Sequence, residues 1–81
     1  MVTITKQDVE KIYDELDRRI QLDIEDGTIP NKDKWIWDER ASRLQGVYGT
    51  MMAIVSNENW QKIVWWKDDI EEERYGERVW S

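Results

Sequence analysis

One stretch constrains this chain more than any other. Residues 35–55 read WIWDERASRLQGVYGTMMAIV. Wound as a helix at about 100° per residue, the stretch places Trp37, Ala41, Leu44, Tyr48, Met51 and Val55 on one stripe. Ser42, Gly46, Gly49 and Ala53, all small, fall on nearly the opposite stripe. A helix with a broad apolar face and a second face of small residues is expected to be covered on both sides. The fold class that follows is all-α: a small three-helix domain whose central helix is packed on both faces.

The flanking segments carry their own helix signals. Thr5 is placed to cap a helix, with Asp8 three residues on as a capping-box partner. Ile4 and Val9 have the spacing of a hydrophobic staple. Val9, Ile12, Tyr13, Leu16, Ile20 and Ile24 then recur every three or four residues, which predicts helix one over 6–25 with Leu22 facing away. Asp26 and Gly27 form a stop. The connection that follows holds the only proline, Pro30, and Asn31 is placed to cap helix two over 32–55. A competing reading breaks that helix at Gly46 and makes 51–55 a buried strand, since each mid-helix glycine costs up to about 1 kcal/mol. The small residues at i, i+4, i+7 and i+11 favour one continuous helix with a close neighbour. Ser56 and Asn57 supply the next turn and cap. Trp60, Ile63, Val64, Lys67, Ile70 and Arg74 keep helical spacing and Trp66 widens their face, so helix three runs over 58–75. The acidic run at 68–73 opposes the helix dipole at that end, and Gly76 stops the helix. Trp80, in the tail 76–81, is a large apolar side chain without an evident place. A chain of 81 residues is read as one domain, 1–81.

Charge is unevenly spread. The net charge is −6. Residues 1–27 carry net −4, residues 28–57 net +1 and residues 58–81 net −3. A nearly neutral middle helix fits burial, because unpaired charge does not stay in a core. An acidic chain is a poor general ligand for nucleic acid or anionic lipid. It suits a basic partner, although acidity also simply keeps a protein soluble. No apolar run reaches the length of a membrane span and no signal-peptide pattern opens the chain. Cysteine is absent, so neither disulfide nor thiolate chemistry is available. A cytoplasmic protein is the expectation.

Nothing in the pattern calls for catalysis, a metal or a cofactor. There is no His and no Cys, and Ser42, Ser56 and Ser81 lie outside any nucleophile-elbow context. Asp14, Asp17, Asp68 and Glu72 are expected on solvated helical faces rather than paired for acid–base work. The acids at 23–26 lack the spacing and the distal Glu of a calcium loop. Residues 46–49 form a GxxG inside a helical pattern, without the basic loop and flanking strands of an RNA binder.

Six tryptophans are the strongest anomaly. Projection turns Trp37, Trp60 and Trp66 inward and leaves Trp35 and Trp65 off the apolar stripes. Tryptophan is favoured at protein–protein hot spots. Trp35 and Trp65 therefore either cover the edges of the core or form, with Trp80, an exposed aromatic patch ringed by Asp14, Asp17, Asp68, Asp69, Glu72 and Glu73. Short, acidic, Trp-rich and cysteine-free, the chain resembles in composition small proteins of phages and mobile elements that bind and block a host protein. That resemblance implies a non-enzymatic inhibitor of a host or defence nuclease, with acidic helices standing in for nucleic-acid phosphates. The alternative expectation is a structural or regulatory homodimer, in which Ser42, Gly46, Gly49 and Ala53 of two copies meet.

Overall fold

A computed structural model describes residues 2–80. It holds three helices in order, α1 (Lys6–Glu25), α2 (Asp33–Ile54) and α3 (Asn57–Tyr75), and no strand among the described residues. The all-α, three-helix class read from the sequence is the observed one, with helix boundaries within about a residue of those expected.

Local chemistry sets the helix ends. At Thr5 the full capping box forms: the hydroxyl accepts from the Asp8 amide at 3.3 Å, and the Asp8 carboxylate accepts from the Thr5 amide at 2.8 Å. These bonds hold the Asp8 carboxyl below its ordinary range, the backbone bond foremost. α1 ends at Asp26, and Gly27 follows with φ 84°. Ser56 caps α3 by accepting from the Asn59 amide at 3.1 Å. Gly76 closes α3 in the left-handed region, φ 77°, where its N–H reaches the Glu72 carbonyl. One expected cap is absent. Lys32 and not Asn31 occupies the N-cap of α2, and no side chain bonds there.

The core is built from the three apolar stripes. Val9, Tyr13, Leu16 and Ile20 of α1, Leu44, Tyr48 and Met51 of α2, and Ile63 and Ile70 of α3 are buried, together with Val55 and two residues outside the helices, Ile29 and Val79. Ile29 folds back because its amide donates to the Asp23 carbonyl at 3.1 Å. The chain before α1 is pinned as well: the Asn59 side chain pairs with both the N–H and the C=O of Ile4, each at 2.9 Å.

The centre of the bundle is not where the stripe of small residues placed it. α1 lies against both α2 and α3. α2 buries only its apolar stripe and is continuous through both glycines, while Ser42, Gly46, Gly49 and Ala53 all face outward. A Cβ added at Gly46 or Gly49 would meet nothing within 4 Å. The near neutrality of α2 is therefore not a mark of burial. Gly49→Ala is expected to raise stability by about 0.5–1 kcal/mol through helix propensity alone, measured by urea unfolding at low protein concentration. A loss of stability would place a neighbour against this face.

Candidate functional site

Two charged side chains are buried at the heart of the structure, and both belong to α3. Glu71 is 0% exposed and Lys67 2%. They stand one turn apart on the face that carries Ile63 and Ile70. Each oxygen of Glu71 has a different task. Oε2 accepts from the Tyr13 hydroxyl of α1. Oε1 accepts from the backbone N–H groups of Val79 at 2.7 Å and Trp80 at 3.2 Å. Lys67 Nζ donates to the Trp80 carbonyl and to Asp68 Oδ1 at 2.8 Å, and lies 3.6 Å from Glu71 Oε1. The Tyr13 and Tyr48 hydroxyls are 2.7 Å apart. A phenol has one proton, and that of Tyr13 goes to Glu71, so Tyr48 donates to Tyr13. One chain of hydrogen bonds thus links α2, α1, α3 and the tail.

This cluster explains Trp80. Beyond the left-handed turn at Gly76 the chain runs back along α3, burying Val79 and setting the Trp80 ring against α2 and α3. Its centroid is 5.1 Å from that of Tyr48 and 6.1 Å from that of Trp60, and Lys67 Nζ lies 5.3 Å from the indole. Trp80 therefore closes the space between two helices that touch each other little. It is not part of an exposed aromatic set.

The acids expected at a partner surface divide into two groups. Arg74 bonds Asp14 at 2.7 Å and Asp17 at 3.3 Å, and Asp17 also accepts from the Tyr75 hydroxyl at 2.6 Å. Arg40 adds α2 to this cluster: its guanidinium stacks 4.1 Å over the Tyr75 ring, and its Nε lies 3.7 Å from Asp17. Asp14 and Asp17 thus tie α1 to α3. Asp68 is held by Lys67 and Arg78, and Glu72 by Arg78 at 2.9 Å. Asp69 and Glu73 are exposed and have no ion pair among the described residues.

Trp35 and Trp65 are exposed, 57% and 62%, but the structure does not bring them together. Arg40 over Tyr75, and Tyr48 beside Trp60, set α2 and α3 antiparallel. Trp35 precedes Arg40 by five residues and Trp65 precedes Tyr75 by ten, so at about 1.5 Å per residue the two indoles are roughly 20 Å apart along the bundle. Trp65 instead belongs to an outward ridge of α3 with Glu58, Gln61, Asp69 and Glu72, each three or four residues from the next and each exposed.

A second outward surface lies on α2. No charged residue occurs between Arg43 and Glu58, yet Val47, Met52 and Ile54 are exposed, and Val2 beside them donates its N–H to the Ile54 carbonyl at 3.2 Å. An apolar groove of about 590 Å³ opens here between α1, α2 and the chain before α1, with Ile4, Ile12 and Val47 in its walls. Among the described residues no cluster of acids is placed to hold a metal ion, and no helix is long and apolar enough to cross a membrane.

No family model, no curated protein and no solved structure matches the chain.

Burial raises the pKa of Tyr13 and Tyr48 above the ordinary phenol value, and the Glu71 carboxylate adds to the rise. Burial also raises Tyr75, with Asp17 beside it. A proton held more tightly in the folded state stabilises it fully below the unfolded pKa, about 10 for tyrosine, and that contribution is lost as pH climbs through the folded value. Stability is therefore expected to fall above about pH 10. Tyrosinate absorbance near 295 nm should appear together with loss of helix rather than before it. Phenols that titrate at pH 10 in a folded chain would contradict the buried cluster.

Proposed function

We propose that the protein is a non-enzymatic protein-binding module that meets a basic partner through the outer ridge of α3. The observation that carries this reading is the exposure of Trp65 on a helix face whose neighbours Asp69 and Glu73 have no internal ion pair among the described residues. An exposed indole offers a large contact area at low entropy cost. Carboxylates around it favour a cationic surface and speed encounter. A nucleic-acid-binding enzyme presents such a surface, so this reading extends to an inhibitor that competes with DNA or RNA in a bacterial cytoplasm. The compositional resemblance to phage and mobile-element inhibitors supports that extension.

The acidic surface proposed here is narrower than the sequence suggests. Asp14, Asp17 and Asp68 already answer to arginines and a lysine of the same chain, which leaves Asp69, Glu73 and part of Glu72 for a partner. Pull-down from host lysate identifies that partner. Trp65→Ala is then expected to weaken binding by about 1–2 kcal/mol with the helical circular dichroism unchanged. Raising salt from about 50 to 500 mM, which shortens the Debye length about threefold, should weaken it further. A partner indifferent to both changes would remove this surface from consideration.

One observation favours a second reading, the homodimer. The uncharged outward half of α2, with Val47, Met52 and Ile54 exposed, is a place where two copies of net charge −6 meet without opposing like charges. Gly46 and Gly49 would let the two helix backbones approach closely. Met52→Lys should then convert a dimer to a folded monomer in sedimentation. A parent chain that is already monomeric at high concentration ends this reading.

A further inference from the structure

The tail is held as a bound peptide is held. Glu71 accepts two successive backbone N–H groups, Lys67 donates to the next carbonyl, Val79 is buried, and the Trp80 ring lies against Tyr48 and Trp60. Backbone bonds together with recesses for particular side chains are the recognition logic of a peptide-binding cleft. The charges make the point sharper. Burying a carboxylate and an ammonium is expensive unless each is fully partnered, and here much of the partnering comes from the backbone of 79–80. A purely apolar contact would anchor a tail without that expense.

The joint is also suited to opening. Gly76 holds φ 77°, a Cβ built there would meet nothing within 4 Å, and Glu77 and Arg78 are exposed, so residues 76–78 can reorient at the cost of the surface ion pairs of Arg78 with Asp68 and Glu72 but without unpacking the helices. We propose that the space between α2 and α3 is a binding site for a bent segment bearing a β-branched residue followed by tryptophan, whose two successive N–H groups converge on one Glu71 oxygen. It is occupied by the chain's own tail, and the tail of a second copy takes it when the first is released. The second copy is the occupant because its tail has the sequence seen to fit. Residues 77–80 also carry one acid and one base, so a copy of net charge −6 presents them without local repulsion. Exchange of an identical segment between protomers is a low-cost route to association, and this one touches the Trp65 ridge only at Glu72, the partner of Arg78.

The test uses the full chain and a fluorescent peptide of residues 77–81. Intact protein should bind the peptide weakly, because its own tail competes. The full-length double variant Val79→Ser, Trp80→Ala should bind it at least tenfold more tightly. A peptide carrying the same two replacements should not bind. Equal, weak binding by the intact chain and a still-helical variant overturns the proposal. Should the variant lose its helical signal, amide exchange on the intact chain decides. The Val79 and Trp80 amides should exchange at least tenfold faster than those of Ile63 and Ile70, reporting a local opening. Equal protection means that the tail leaves only when the whole domain unfolds, and overturns the proposal. Sedimentation of intact chain mixed with the double variant identifies the source. A complex of the two supports exchange between copies, and peptide binding without such a complex overturns the second copy as occupant.

Discussion

The Glu71 carboxylate is the constraint on which the rest of the structure depends. An ion at 0% exposure persists in a core only when protein donors replace the water it has lost. The donors come from separate parts of the chain: Tyr13 on α1 and the two amides of 79–80, with Lys67 one turn away. Tyr48 joins through Tyr13 and commits α2 to the same cluster. Loss of any member leaves a buried polar group without its partner, which is costlier than loss of an apolar contact of similar size.

That requirement shapes the bundle. α1 lies between the other two helices because its tyrosine bridges them. α2 and α3 leave between them a space that the tail fills, and the indole of Trp80 does there what a larger helix–helix contact would do elsewhere. Around this centre, Arg74, Arg40 and Tyr75 gather Asp17, and Arg78 gathers Asp68 and Glu72. These pairs engage part of the negative charge that the sequence presents. Among the surfaces that remain outward are the ridge around Trp65 and the uncharged half of α2.

Helices were legible because their signals are local. Thr5 and Asp8, Gly27, Ser56 and Gly76 act on residues within a turn, and a period of three to four selects the buried face. Trp37, Trp60 and Trp66 are packed against the core as projection indicates, and Leu22, Trp35 and Trp65 face out. The candidate site was legible only in part. Lys67 falls on the stripe of Ile63 and Ile70 in projection, but the burial of Glu71 one turn later depends on donors that projection along one helix does not show. Trp80 was visible as a misfit without a place. Asp14, Asp17 and Trp35 lie away from the Trp65 ridge because their partners and distances are set by helices far away in sequence.

The sequence by itself determined the number of helices, their ends and the inward stripe of each, since these follow from backbone hydrogen bonding and side-chain periodicity within a few residues. Only the tertiary structure decided which helix is central, that the small-residue face of α2 is open, and that the tail returns to cover Glu71 and Lys67. Those outcomes depend on pairing groups far apart in the chain, Tyr13 and Glu71 58 positions apart and Asp14 and Arg74 60. A stripe of small residues reads the same whether a helix or water lies against it, and a charged residue on an apolar stripe reads the same until its donors are known. The physical reason is that burial belongs to the assembled surroundings of a residue and not to the residue.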